Sequence, residues 1–227
     1  MTHTHSTQRI RVWDLPTRVF HAILIFSIAG LFITGELGDE VLRFHFWLGY
    51  TVLTLLFFRI AWGLVGGHWS RFINFIPTPA RLFTYIRSIR EKRSPQHVGH
   101  NPLGALSVLT MLIVLLLQVF SGFMSDDEIA NTGPWVALVP SDWVELATEY
   151  HTEIGKVLLI ALIGLHFATV LYYKLFKNTD LISPMLHGDK DLPIHTHHSR
   201  DTYTSRLFAI SILLACAYAV YRLVNIS

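Results

Sequence analysis

Four histidines lie within long apolar stretches of the sequence, where ionisable side chains are costly. They are His21, His45, His151 and His166. An ionisable residue inside a membrane-spanning segment marks a functional site by default. A single histidine there can also serve only as a hydrogen bond between two helices. Four of them must therefore be interpreted as an arrangement, by depth and by direction.

The apolar stretches that carry these histidines are long enough to cross a membrane. The chain has 227 residues, of which 52% are hydrophobic and 15% charged, and its mean hydropathy is +0.43. About 20 apolar residues span the hydrocarbon as a helix. The sequence predicts an all-α integral membrane protein with five spans, whose first helix stays as an anchor because no signal-peptide cleavage pattern follows it. The predicted spans are Val19–Thr34, Phe44–Val65, Leu103–Met124, Glu149–Phe176 and Leu207–Val224.

Charge predicts the orientation of these spans. With loops assigned alternately to two sides, fifteen of the eighteen Lys and Arg residues fall on the side of the N-terminus. The positive-inside rule then places the N-terminus in the cytoplasm and the C-terminus outside. The opposite side is acidic and holds Glu36, Asp39, Glu40, Asp126, Asp127, Glu128, Asp142, Glu145, Glu149 and Glu153.

Depth sorts the four histidines into two pairs. His45 lies two residues after Arg43 and His151 two residues after Glu149, near the outer ends of their spans, and they form what we call the outer pair. His21 and His166 lie in the inner half of the membrane and form the inner pair. Fifteen residues separate His151 from His166, which corresponds to about 22 Å along a helix and a net rotation of about 60°. One helix can therefore supply a ligand to each of two stacked sites.

Two imidazoles from two helices, with no carboxylate or thiolate beside them, suit haem better than zinc. Zinc usually takes four protein ligands or keeps one open position, whereas haem needs one or two axial ligands. With two histidines no iron position stays open, so such an iron transfers electrons. The single cysteine, Cys216, and the absence of a Cys-x-x-Cys-His motif exclude covalently attached haem.

Three further residues are candidates for contact with haem. Gly49 and Gly155 each follow an outer histidine by four residues and would leave room for a macrocycle; close helix packing by small residues is the alternative. Arg59 shares the face of His45 at the depth of His166, where it could pair with haem propionates or extend its charged end to the interface.

Two connecting segments carry patterns of their own. Residues 78–93 predict an amphipathic helix in the cytoplasmic interface, bound to anionic lipid or, alternatively, to a cytoplasmic protein. Residues 140–151 predict the start of the fourth long helix, capped by Asp142 with Glu145 completing a capping box. The His-rich run at 195–198 lacks the spacing of a dedicated metal site.

Four stretches in order resemble one family. "RVWDLPTRVFH", "FHFWLGYTVLTLLFFRIAWG", "GHNPLGALSVL" and "YHTEIGKVLLIALIGLH" are similar to the bacterial cytochrome b561 and nickel–iron hydrogenase b-type cytochrome family, from residue 9 to about 187. The resemblance implies a four-helix haem-binding bundle in the bacterial inner membrane that exchanges electrons between quinone and a partner protein. It also implies ligand roles for His21, His45, His151 and His166.

The chain departs from the family in two places. Ala22 stands where a Trp commonly follows the first ligand, and residues 203–224 add a fifth helix that many members lack. We therefore predict a dihaem bundle over 1–187, followed by a loop and an additional transmembrane helix over 188–227, for packing or partner docking. His100, within "GHNPLG", matches a family feature without an assigned role.

Three functions fit the sequence. The first is a dihaem b-type cytochrome that carries electrons between quinone or quinol and a periplasmic c-type cytochrome, steered by the acidic outer loop. The second is the membrane anchor and electron acceptor of a hydrogenase or another dehydrogenase. The third is a transporter or proton channel with a histidine relay. Without a dinucleotide fingerprint or a catalytic triad, we expect an electron-transfer component rather than a stand-alone catalyst, with no nucleic-acid partner.

Overall fold

The structure is a computed structural model that describes residues 7–91, 97–127, 131–193 and 195–226, without the side chains of Asp39 and Glu40. Lys92, Arg93 and Glu128, which entered the charge analysis, lie outside the described residues. Between its helices the chain has short 3₁₀ turns at His68–Ser70 and Val136–Leu138. The element order is β1 (Thr7–Arg11), α1 (Leu15–Glu36), α2 (Asp39–Val65), α3 (Phe72–Phe75), α4 (Pro79–Arg90), α5 (Pro102–Phe123), α6 (Ser141–Glu149), a π-helical segment (Tyr150–Ile154), α7 (Gly155–Phe176), α8 (Ile182–His187), β2 (Asp189–Pro193) and α9 (Tyr203–Val224).

Five helices are long and apolar enough to cross a membrane, which confirms the predicted all-α membrane architecture. They extend the predicted spans by a few residues at their ends and, in the fourth, by eight. Each of four helices begins at a capping side chain that accepts a hydrogen bond from a backbone N–H of the first turn. These caps are Asp14, Thr78, Asn101 and Thr202. Proline at the first or second helical position supports the first three.

Helix α2 lies at the centre of the bundle, in contact with α1, α5 and α9. Its side chains Val52, Leu53, Leu56 and Trp62 are almost fully buried. Large apolar side chains on the other spans are widely exposed, as expected for surfaces that face lipid; Phe26, for example, is 76% exposed. The fifth helix, α9, therefore packs against the central helix and belongs to the core of the molecule.

A small antiparallel sheet joins the N-terminus to the last loop. Strand β1 pairs with β2 from Thr7 opposite Pro193 to Arg11 opposite Asp189. The sheet crosses the boundary that we predicted between residues 187 and 188. Neither strand was predicted, because each has only five polar-rich residues and its partner is about 180 positions away in the chain.

The fourth span runs without a break from Ser141 to Phe176, and its start differs from the prediction. Pro140 occupies the N-cap position and no side chain caps the helix, so the predicted cap at Asp142 is wrong. Asp142 lies within the first turn, where its charge complements the helix dipole. The π-helical segment adds about one residue to a turn, which leaves about fourteen α-helical steps between His151 and His166 and a net rotation of about −40°. Both histidines still face the same half of the bundle.

The predicted amphipathic helix at 78–93 forms as α4. Tyr85 is buried, and its hydroxyl hydrogen-bonds the hydroxyl of Tyr173 on α7. Phe83 is 72% exposed on the outer face of α4. One face of α4 thus packs against the bundle, and the face that carries Phe83 is exposed.

Candidate functional site: two histidine pairs

The structure brings the outer pair together. His45, on α2, and His151, in the π-helical segment, have ring centroids 6.1 Å apart with the planes at 79°. Two metal–imidazole bonds of about 2 Å each, plus about 1 Å from each nitrogen to its ring centre, give a separation of about 6 Å. The separation of the two rings would therefore suit two imidazoles that bind one metal between them.

Hydrogen bonds fix which ring nitrogens of the outer pair are free. The Nδ1–H of His45 donates to the carbonyl of Leu31 at 3.1 Å, and that of His151 donates to the carbonyl of Gln118 at 2.8 Å. Because a carbonyl only accepts, both Nδ1 atoms carry the proton and both Nε2 atoms keep a lone pair. Metal-binding histidines are oriented in this manner by their second nitrogen.

The π-helical segment that carries His151 is tied to α5 through Gln118. The side-chain amide of Gln118 donates to the carbonyl of His151 at 2.8 Å, while the backbone carbonyl of Gln118 accepts from the His151 ring. A side chain that enters the hydrogen-bond ladder of a helix distorts it locally, and single π turns are frequent at functional sites. Gln118 thus both shapes the segment and orients its ligand.

The glycines near the outer pair differ in their surroundings. A Cβ at Gly49 would meet no atom within 4 Å, so the space at this position is open. At Gly155 an added Cβ would collide with the side-chain amide of Gln118. This is the close packing by a small residue that the sequence offered as the alternative. Gly122, on α5, was missed: a Cβ there would lie 2.7 Å from Cε1 of His151. Gly122 therefore makes room for the ligand ring itself.

The inner pair lies at the other end of the bundle. His21, on α1, and His166, on α7, are both half-buried and close enough to interact electrostatically. His100, immediately before α5, interacts with both of them and with Arg59. Among the described residues, no group of three or more His, Cys, Asp or Glu side chains could hold a metal ion. The candidate ligands therefore come in pairs, which suits haem and not a zinc site.

His100 is enclosed beside the inner pair. Its ring lies between Trp13 and Phe75, with centroids at 4.9 and 4.8 Å, and its Nδ1 is buried without a hydrogen-bond partner. Burial first, then the positive charge of Arg59, lowers the pKa of His100 to about 3. His100 is neutral at physiological pH and presents an unused polar atom next to the inner pair. The sequence motif pointed to this residue but gave it no role.

Arg59 is 3% exposed, so its side chain does not extend to the interface. Its Nη1 donates to the carbonyl of Ser70 at 3.1 Å, and the guanidinium lies over the ring of Phe72 at 4.8 Å. A buried cation beside the inner pair can attract an acidic group such as a propionate. The burial of Arg59 does not fit the alternative in which its charged end extends to the interface, and its propionate role stays a prediction.

Asp14 is a buried residue that sequence reasoning missed. Its carboxylate is fully buried and accepts four hydrogen bonds. The donors are the backbone N–H groups of Thr17 (2.9 Å) and Gly67 (3.1 Å), the indole of Trp62 (3.1 Å) and the hydroxyl of Ser70 (2.7 Å). These contacts fasten the start of α1 to the end of α2 and hold Ser70, which in turn anchors Arg59. Its position as an N-cap before Pro16 was the available signal.

The chain is similar to known proteins over most of its length. The chain matches the sequence model of the family described as "Prokaryotic cytochrome b561" over residues 12–188. It is 26% identical to the "Probable Ni/Fe-hydrogenase B-type cytochrome subunit" of Bradyrhizobium diazoefficiens, over 80% of this chain and 85% of the relative. The protein of the same name from Rhizobium leguminosarum bv. viciae is 25% identical, over 81% and 89%. No solved structure matches the chain significantly.

Proposed function

The chain belongs to the prokaryotic cytochrome b561 family, and on that premise we propose that it is a membrane b-type cytochrome with one haem at each histidine pair. The geometry of the outer pair is the observation that carries this proposal. Two imidazoles have ring centroids 6.1 Å apart, and because each Nδ1 is bound to a carbonyl, each ring keeps a lone pair on Nε2. A haem held by two histidines supplies one-electron transfer with no iron position open to oxygen.

The protein's own residues orient and enclose each site. At the outer site the carbonyls of Leu31 and Gln118 hold the two rings, and the open space at Gly49 would accommodate the macrocycle. At the inner site His21 and His166 would be the ligands, and Arg59 would attract a propionate. Helix α7 with its π segment supplies one ligand to each site, about 20 Å apart. One haem would thus lie near each surface of the membrane, and electrons could pass from one to the other.

The names of the relatives favour a dehydrogenase as the electron donor. Both are B-type cytochrome subunits of Ni/Fe-hydrogenases, and the chain covers 85% and 89% of their length. We infer that this chain serves as membrane anchor and electron acceptor for a hydrogenase or a similar dehydrogenase, and passes the electrons to quinone. The positive-inside distribution supports an inner-membrane protein with its N-terminus in the cytoplasm and the outer pair near the periplasm.

A second candidate partner is a periplasmic c-type cytochrome. Among described residues, the loop between α5 and α6 holds Asp126 and Asp127 and no Lys or Arg. Acidic groups near the outer site would steer a basic soluble protein. The two partners differ in salt dependence: steered encounter slows with ionic strength, whereas electron transfer within a stable complex does not. Copurification of a large periplasmic subunit, and a reduction rate by hydrogen that is independent of salt, would select the hydrogenase reading.

An optical spectrum of the purified protein tests the proposal. We expect reduced-minus-oxidised α-bands of low-spin haem b at about two haems per chain. A colourless protein would contradict it and would favour a histidine relay in a transporter or channel.

A further inference from the structure

A cavity of about 480 Å³ opens where the end of α2 meets the start of α9, on the side of the N-terminus. Trp62 and Val65 of α2 and Phe208 of α9 form its apolar wall. His68, Arg71, His198 and Arg200 form its polar wall. The last two of these and Phe208 lie beyond residue 188, where the family match ends. The cavity therefore depends on the additional fifth helix and is separate from both histidine pairs.

The polar wall carries positive charge that the described part of the protein does not neutralise. No Asp or Glu lines the cavity. Nearby arginines are paired: Arg11 with Asp189 and Asp201, and Arg206 with Asp201. Arg71 and Arg200 have no ion pair among the described residues, and Nε of Arg71 is buried without a hydrogen-bond partner. Burial, then His197 and Arg71, lower the pKa of His68. The guanidinium groups of Arg71 and Arg200 bring positive charge to this wall.

Hydrogen bonds hold the walls of the cavity in place. The backbone N–H of Gly67 donates to the buried carboxylate of Asp14 at 3.1 Å. The loop before α9 is attached to the same turn: the Trp69 indole donates to the carbonyl of His197 at 2.8 Å, and Ser199 accepts from the Trp69 N–H at 3.3 Å. The segments that carry the cationic side chains are thus held in place by hydrogen bonds.

The cavity borders the lipid-facing surface. Leu64 and Val65, at the end of α2, are 68% and 54% exposed, and Leu207 and Phe208, at the start of α9, are 46% and 52% exposed. An amphipathic molecule can therefore place a polar head in the cavity while its chains lie on these side chains. Basic pockets between transmembrane helices on the cytoplasmic side suit anionic headgroups.

We propose that this cavity binds the phosphodiester headgroup of an anionic phospholipid, with Arg71 and Arg200 on the phosphate and the acyl chains along Val65 and Phe208. The occupant connects the second and fifth helices at the membrane surface. The site gives the fifth helix a role that does not depend on haem.

Binding can be measured by native mass spectrometry of the purified full chain with added phosphatidylglycerol or phosphatidylcholine. We expect phosphatidylglycerol to bind at about one per chain above the nonspecific background. Because each cation near an anionic headgroup contributes about fivefold, the Arg71→Gln/Arg200→Gln variant should bind about thirtyfold more weakly. The exposed single variant Arg200→Gln, with about a fivefold loss, keeps the test valid if Arg71 also supports folding.

The Arg81→Gln/Arg90→Gln variant is the matched control, since it removes two exposed cations from α4 on the same side of the membrane. It should bind like the unmodified chain, and α-band absorbance per chain reports that each variant is folded. Equal lipid loss in both double variants, or equal binding of phosphatidylcholine, would overturn the proposal. If millimolar inorganic phosphate displaces all of the bound lipid, the cavity is a site for free phosphate, which would also overturn the proposal.

Discussion

The outer and inner pairs use the same ligand type in opposite environments. The outer rings are held by backbone carbonyls of Leu31 and Gln118, with small or empty positions around them. The inner pair interacts with His100, which lies near Arg59, and Arg59 in turn interacts with the buried carboxylate of Asp14. Hydrogen bonds that orient the rings distinguish the outer site, and nearby charged groups distinguish the inner site.

This difference has a consequence for the reduction potentials. A haem potential depends on the net charge and hydrogen bonding around it as well as on its ligands. The Arg59 cation favours the reduced state and the Asp14 carboxylate opposes it, so the potential of an inner haem would depend on the balance of these two buried charges.

The largest effect is expected from Asp14→Ala, which removes the acceptor of four buried hydrogen bonds. Leaving such donors unpaired costs roughly 3–5 kcal/mol of unfolding free energy. Thermal unfolding in detergent, followed at the haem bands, should show a much lower midpoint, with the inner site lost first. Asp142→Ala, at an exposed carboxylate, is the control. Equal midpoints for both variants would refute the role of Asp14 in supporting the inner site.

The next effect is local to the outer site. In Gly122→Val the new side chain would collide with the His151 ring, since even a Cβ lies 2.7 Å from its Cε1. We expect haem content to fall from about two to about one per chain, with the inner haem spectrum intact. Gly164→Ala, where a Cβ meets no atom within 4 Å, should keep both haems. Full haem content in Gly122→Val would show that the ring can move without penalty.

A smaller effect is expected at the inner site from Arg59→Gln. Removing this buried cation should lower the potential of the inner haem by about 50 mV or more and leave the outer haem unchanged. Arg59→Lys keeps the charge and should restore most of the difference in a spectroscopic redox titration. Arg43→Gln, at an exposed position of the same helix, should shift neither haem by more than about 20 mV. If the inner potential is unchanged in Arg59→Gln, Arg59 does not act on the inner haem and serves only to contact Ser70 and Phe72.

The smallest effect is expected from Ser121→Ala. The Ser121 hydroxyl lies 3.3 Å from Nδ1 of His151, but the Gln118 carbonyl at 2.8 Å already orients the ring. Haem content should be retained and the outer potential should move by less than about 20 mV. Loss of the outer haem in this variant would mean that the hydroxyl, and not the carbonyl, holds the ligand.

Sequence reasoning succeeded where the signal was local or periodic. The five spans and the amphipathic helix at 78–93 follow from hydropathy and helical periodicity. The same reasoning placed Arg59 at the inner pair from its rotation relative to His45.

What the sequence did not reveal depends on contacts between distant segments. Asp14 meets Ser70 across 56 positions, and Gln118 meets His151 across 33. The π-helical segment, the role of Gly122 and the pairing of β1 with β2 arise only when these segments are packed together. Helical periodicity contains no information about such partners, so the approach of Gln118 to Gly155 could not be predicted from it.

Haem content in paired double variants tests the central claim, that His45 pairs with His151 and His21 with His166, most directly. His45→Ala/His151→Ala removes both ligands of one site and should retain about one haem per chain. His45→Ala/His166→Ala removes one ligand from each site and should retain none. One haem left in the second variant, with none in the first, would contradict the proposed pairing.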